Sequence, residues 1–447
     1  MRNRSGTRAA LAATLALTML ATACGGAGEV TEGSATDLDV STGVTDDSIV
    51  IGTHQPLTGP AAAGYMAVSQ GASAVFDYVN AQGGINGREI DYRVEDDGYD
   101  PSKTIDVTRK LVIEDEIFAM VGGLGTPTHT GVLDYLNDEG VPDIFPSSGA
   151  LAWNNPEEHP LTYGWQTDYT KEAKIQGEYI AENFPGQAVG YLYQNDDIGE
   201  DSQAGLDQYL AEEVVAREHY ESEVTDLSAQ IAEFERTEAE VVVCSCIPAF
   251  VALGMLEAAR IGYEPQWVVS SIGGDTATLR ALLSQFTEGT DAEDVPADAF
   301  LEGMLITSYM PRVEDENDEW AQLFVEIYEE YGEDTPITNT HVFGMTQAVM
   351  FAQALKAAGE DLTRQALIDT MESMEWQGPS PVPFSSADGD HGGHQGVYVL
   401  EYQAGGDIEI IQDTRVTDRE GGPNEEIDFE ALSPDELVFH DCPVMIF

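Results

Sequence analysis

Basic residues are scarce. The 447-residue chain carries 19 Lys and Arg, five of them Lys, against 81 Asp and Glu, a formal net charge of −62. No cationic cluster exists to meet phosphates, which excludes nucleic-acid binding. Long apolar runs are scarcer still: LAATLALTMLATA near the N-terminus is too short to span a bilayer comfortably, and no second stretch is long enough for a transmembrane helix. Catalytic signatures are missing too, with no G-x-S-x-G, no H-E-x-x-H, no Walker loop and no C-x-x-C. Gly122-Gly123-Leu124-Gly125 lacks the G-K-[ST] ending and the full G-x-G-x-x-G spacing. An enzyme is therefore not expected. Cysteine is limited to four residues, and the pair Cys244 and Cys246 has no second pair or His at fixed spacing, too little for zinc. His391 and His394, in the segment DGDHGGH, read as an exposed turn more readily than as a metal site. Neither a cofactor nor a metal is expected.

What is present begins at the N-terminus. Arg2, Arg4 and Arg8, with no acid before the apolar run, make residues 1–23 read as a signal peptide. Ala21-Thr22-Ala23-Cys24-Gly25-Gly26 resembles a bacterial lipobox, although Leu20 stands four residues before the cysteine instead of three. Cys24 is then the lipidated mature N-terminus. Residues 24–47 are small, polar and acidic, and suit a disordered tether. The protein is expected to be anchored to the outer face of the membrane. With Cys24 lipidated, three cysteines remain: either Cys442 bridges to Cys244 or Cys246, or these are buried free thiols. Loss of the signal peptide leaves a net charge of −65, with acids spread along normal apolar segments. Such a surface suits a solvent of high salt, hence a halophilic or haloalkaliphilic host.

From residue 48 on, β-rich runs alternate with helical periodicity. Strands are expected at 49–57, 89–95, 117–122 and 141–145, with helices at 65–82, from Pro101, and at 126–137. After residue 168 the pattern repeats: helices at 171–183, 202–217, 227–235 and 248–261 alternate with strands at 188–193, 218–222, 240–244 and 267–270. Alternating β and α units imply parallel, doubly wound sheets, and about 400 residues suit two α/β lobes better than one core.

The stretch NAQGGINGREIDYRVEDDGYDPSKTIDVTRKL (Asn80–Leu111) resembles the branched-chain amino-acid branch of the type I periplasmic binding proteins, substrate-binding lipoproteins of ABC transporters. Further landmarks follow in the same order: Thr58-Gly59-Pro60, VGGLGTPTHT (Val121–Thr130), EGVPDIFPSSGA (Glu139–Ala150), NDDIGEDSQAGL (Asn195–Leu206), the helix His341–Gly359 and the closing β segment Pro379–Tyr402. The resemblance implies two lobes joined by a three-strand hinge. Lobe one is expected at 48–166 plus 306–372, lobe two at 167–305 plus 373–412, and 413–447 as a C-terminal extension. It further implies a monomer that closes over a small ligand and is then met by membrane permease subunits; the alternative is a sensing protein that feeds a receptor.

In open α/β sheets, ligands bind beyond the carboxyl ends of strands, where helix N-termini present unpaired N–H groups. Thr126, Pro127 and Thr128 sit at one such junction, and Ser147, Ser148 and Gly149 at another. The resemblance makes these the carboxylate-binding loops; singly each Ser or Thr is equally a helix cap, but jointly they favour capture of a carboxylate. In lobe two the sequence departs from the family. Ile198, after Asp197, replaces the usual aromatic residue, and Ser270-Ser271-Ile272 replaces the acid that pairs with the ligand ammonium. Either Asp275 or Asp197 supplies that charge, or the ligand has no α-ammonium. Trp153, Trp165 and Trp267 are pocket candidates, though more readily core.

Overall fold

The computed structural model describes residues 38–434, apart from Pro60, Glu223 and Asp388. The expectations for the signal peptide, Cys24, most of the tether and Cys442 lie outside the described residues. The first sheet holds β1 (Ser48–Gln55), β2 (Glu89–Asp96), β3 (Ala119–Val121), β4 (Asp143–Ile144) and β5 (Thr162–Tyr163), all parallel, in the order β2-β1-β3-β4-β5. Its helices are α1 (Ala62–Ala81), α2 (Pro101–Ile113) and α3 (Thr126–Asp138). The chain then crosses to a second lobe with α4 (Tyr169–Asn183), β6 (Val189–Gln194), α5 (Asp197–Leu210), β7 (Val214–Tyr220), α6 (Ser228–Arg236) and β8 (Val241–Ser245). It continues through α7 (Pro248–Ile261), β9 (Gln266–Val269), α8 (Thr276–Thr287), α9 (Asp298–Leu301) and β10 (Leu305–Ser308). α10 (Glu319–Tyr331) and α11 (Asn339–Ala358) return to pack with α1, and α12 (Arg364–Ser373) packs on α11. β11 (Gly396–Tyr402), β12 (Ile408–Val416) and β13 (Glu425–Glu426) close the second sheet.

That sheet runs β13-β12-β11-β10-β9-β8-β6-β7, parallel from β7 to β10 and antiparallel beyond. Its parallel part repeats the order of the first sheet, with the second strand outside the first. Each sheet therefore has one switch point, between β1 and β3 and between β6 and β8, where loops diverge and leave a crevice. The chain passes between the lobes three times, at residues 164–168, 309–318 and 374–395.

Several expectations are corrected. The helix drawn over 202–217 begins at Asp197, capped by the Asp196 carboxylate that accepts the N–H of Ile198, and stops at Leu210. Val214 and Val215 then open a strand, the element their β-branched side chains favour. β10 runs in the second sheet, so residues 306–308 belong there rather than to lobe one. Cys244 and Cys246 are joined to each other, which displaces both the bridge to Cys442 and the free thiols. Both are fully buried where β8 ends, with a Cα separation of 5.3 Å that a disulfide spans. His391 and His394 are buried at 1% exposure each, not in an exposed turn. They meet the carbonyls of Thr162 and Trp165 across the third crossing. Among the described residues no cluster of His, Cys, Asp or Glu could hold a metal, and no helix is long and apolar enough to cross a membrane.

The returning helices are tied down by a buried cation that has no acidic partner among its hydrogen bonds. The Arg364 guanidinium donates to the carbonyls of Ile117 (2.7 Å), Gly140 (2.9 Å) and Phe118 (3.0 Å). Burial pushes its pKa down, yet three carbonyl dipoles hold it at the base of the first sheet. Arg364→Met would strand three acceptors and should cost about 3–5 kcal/mol; a urea titration should show an earlier midpoint at unchanged slope.

Candidate ligand-binding cleft

The two switch points open into one cavity of about 100 Å³ between the lobes. From the first lobe it receives Tyr99 after β2, Gly125 and Thr126 after β3, and Ser147 after β4. From the second it receives Ile198, Ile247 after β8, and Ser271 to Asp275 after β9. Tyr169, Tyr309 and Phe343 complete mostly apolar walls. The lobes touch around it. The Tyr65 hydroxyl donates to the Ile272 carbonyl (2.8 Å), the Leu151 N–H to Asp201 (2.9 Å) and the Gln194 amide to the Tyr99 hydroxyl (3.3 Å).

Of the ten residues the sequence pointed to, Thr126, Ser147, Ile198, Ser271 and Asp275 line this cavity. The other five do not. Thr128 turns its hydroxyl back to the carbonyls of Leu124 and Gly125, the cap that the same pattern allowed. Pro127 lies in the first turn of α3, away from the lining. Ser148 stands one shell behind Thr126, and Gly149 packs against Tyr169, where a Cβ would come within 2.7 Å of its ring. Asp197 opens α5 outside the cavity. Thr58 is also elsewhere, bonded to Asp96. Of the three tryptophans none lines the cavity; all are core.

The first-lobe end gathers hydroxyls. The Thr126 hydroxyl meets those of Ser148 (2.7 Å) and Tyr169 (3.0 Å), which are 3.2 Å apart. Three hydroxyls in contact can turn their protons outward together, and the Thr126 N–H at the start of α3 has no intrahelical acceptor, Pro127 after it having no N–H at all. The supporting backbone is strained. Phe145, at the end of β4, and Tyr99 both hold φ near +61°, a region bulky residues rarely occupy. Gly125 has φ +105°, and a Cβ there would lie 2.4 Å from Thr128 Oγ1.

Beneath this loop runs a buried chain. Asp97 meets His54 Nδ1 (2.8 Å), His54 Nε2 meets His129 Nδ1 (2.8 Å), and His129 Nε2 meets Asp143 (2.9 Å), all four residues at 0% exposure. Burial pushes the His54 imidazole toward its neutral form. A Cβ on Gly123 would stand 2.4 Å from His129 Nδ1, so the loop rests directly on the pair.

On the second lobe the acid that sequence reasoning missed is Glu172, on α4. It is 2% exposed and accepts from the Ser271 N–H (2.6 Å), the Ser271 hydroxyl (2.9 Å) and the Thr307 hydroxyl. Burial raises its carboxyl above the ordinary range, against these three bonds. Both its oxygens are thus engaged. Asp275 caps α8 through one oxygen, taking the N–H and hydroxyl of Thr278, and its other oxygen is buried with no partner at the cavity. Nothing in the spacing of Glu172 marked it, because its partners lie about a hundred residues away.

The body is thus two α/β lobes whose switch points share one cleft. The chain belongs to the periplasmic binding protein family, whose profile matches residues 48–407; as such it is a binding protein and not an enzyme. It is similar to a Leu/Ile/Val-binding protein homolog of Brucella melitensis, 26% identical over 199 residues, 43% of this chain and 53% of that protein. The aligned part thus spans about half of that relative. Its fold is that of a branched-chain amino acid ABC transporter protein from Thermus thermophilus with bound valine (TM-score 0.72, 18% identity, covering 84% of this chain and 98% of that one). It is also that of a fatty acid ABC transporter substrate-binding protein from Thermomonospora curvata (TM-score 0.71, 20% identity, 85% and 95%).

Two measurements test this site. Replacing His54 by Phe breaks the chain at its centre and leaves Asp97 buried with one partner fewer; a loss of about 3–5 kcal/mol is expected in chemical denaturation. The second concerns pH. Burial raises the carboxyls of Asp196 and Asp201 to about 6 with the lobes together, whereas an exposed carboxyl titrates near 3.9. Between these values the closed form holds the extra protons. Closure is therefore favoured as pH falls from 6 toward 4, and its penalty is complete above 6. Ligand should bind several-fold tighter at pH 5 than at pH 7.5 by titration calorimetry. Asp201→Asn, which can still accept from Leu151, should flatten the slope.

Proposed function

We propose that this protein is the extracytoplasmic binding component of an ABC importer and captures a small amino acid or a related small carboxylate or amide. The observation that carries the reading is the pairing, across one cavity, of an anion-receiving end at Thr126 with the unpartnered carboxylate oxygen of Asp275. A carboxylate at the first and an ammonium or amide N–H at the second would satisfy both. The volume supports a small ligand: about 100 Å³ is close to the ~150 Å³ engineered cavity that accepts benzene. A long acyl chain, as the name of the Thermomonospora protein would suggest, does not fit this space. The names of the Brucella relative and of the valine complex agree with an amino acid. Anchoring through Cys24, release to permease subunits and action as a monomer belong to the same reading, as does a saline environment for so acidic a surface.

A thermal-shift screen in molar salt tests it, with amino acids, amides, short carboxylates and aromatic acids. At a hundred times its dissociation constant a ligand adds about 2.7 kcal/mol of stability, a visible rise in Tm. α-Amino acids should give it, and Asp275→Asn should weaken them about 10- to 100-fold while sparing simple carboxylates. If only non-amine ligands stabilise the protein, Asp275 does not receive an ammonium. If nothing in the panel does, solute capture itself is wrong.

A further inference from the structure

Among the described residues lining the cleft, Arg312 is the one cation. It follows β10 in the second crossing between the lobes and is 8% exposed. Its ionic partner, Glu314, is poorly placed: Nε lies 3.3 Å and Nη2 3.5 Å from the carboxylate, and Nε makes no hydrogen bond. Both oxygens of Glu314 already accept from the Asn339 amide at 3.0 Å. A guanidinium has five N–H donors in a fixed plane, and here Nε is buried with no acceptor while Nη2 reaches Glu314 only at 3.5 Å. In a chain with 19 cations among 447 residues, this one stands between the cleft and a neighbouring acidic hollow lined by Glu314, Asp315 and Asp318.

An aliphatic side chain placed in this cleft would leave those donors dry, which is the costly arrangement for a buried polar group. An oxygen acceptor would relieve it. The cavity then has three polar contact points: Thr126 for the α-carboxylate, Asp275 for the ammonium, and Arg312 for a third group.

We infer that the ligand is an amino acid whose side chain ends in an oxygen acceptor, a carboxylate or an amide, received by Arg312. This rests on the amino-acid reading above and narrows it away from branched-chain ligands. Arg312 is the residue that sets the side-chain preference, with Glu314 and Asn339 fixing the guanidinium in place.

The test is titration calorimetry on the purified protein in molar salt with glutamine, glutamate, methionine and leucine. Glutamine or glutamate should bind at least about tenfold tighter than methionine, which matches their length without the oxygen; the stronger of the two tells amide from carboxylate. Arg312→Met should erase that preference, bringing glutamine, glutamate and methionine within about threefold of one another. Arg312→Lys keeps the charge but not the planar fork, and should lose most of it. Methionine or leucine binding as tightly as glutamine and glutamate overturns the inference while the amino-acid reading stands. A panel in which no amino acid binds overturns that reading first. Should Arg312→Met fail to fold, the ranking on the unaltered protein decides by itself.

Discussion

Burying a carboxylate is costly unless its oxygens find donors, and Glu172 finds three, two on the loop after β9 and one on β10. The bonds run from α4 to the loop after β9 and to β10, and Gln176, one turn on, also donates to Thr307. α4 is the helix that opens directly from the first crossing, and it carries Tyr169 into the hydroxyl cluster of the first lobe. One acid thus fixes the second-lobe wall relative to the crossing and to that hydroxyl cluster. It also explains the departure from the related amino-acid binders. The loop after β9 presents Ser271 as a donor to the acid that arrives from α4.

The cleft lies where the strand order of each sheet reverses, and its loops are held in conformations that a chain free of other demands would avoid. Phe145 and Tyr99 at positive φ, and Gly125 pressed on Thr128, are kept there by the rigid layer beneath. That layer is the Asp97–His54–His129–Asp143 chain. Its buried hydrogen bonds tie β1, α3, β4 and the turn after β2 together, so the loop above rests on a connected polar layer. Strain at the ligand loop and order below it are two sides of one arrangement.

The sequence was most legible where local chemistry decides. α7 starts at Pro248, preset for a first helical turn, and ends at Gly262 in the left-handed region, so its bounds could be read directly. The alternation of strands and helices gave the two parallel sheets for the same reason. It failed at Val214, where helical periodicity in the preceding acidic stretch concealed a strand. At the site, loop residues at strand ends were visible, since a strand-to-helix junction marks itself. Ser148, Gly149, Thr128 and Asp197 share those junctions yet face elsewhere, and a one-residue difference in direction leaves no trace in composition. Glu172 and Arg312 were invisible for another reason: each lies in an ordinary local context, and its meaning comes from partners brought close only by the three crossings.

The scarcity of cations gives their placement weight. Arg364 secures α12 to the first sheet, and Lys171 links α4 to Gln395 in the third crossing. Lys174, with a side chain 1% exposed, grips Asp418 and the Glu420 carbonyl of the C-terminal segment. Arg419 reaches back from that segment to Asp168 at the first crossing, and the Trp320 indole of α10 donates to the Leu432 carbonyl. The C-terminal segment is therefore a fourth tie, from the edge of the second sheet to a helix of the first lobe. Repulsion among surface acids falls as salt rises, whereas buried pairs are screened little. A chain with so many acids can thus leave its surface to the solvent and commit its cations to joints.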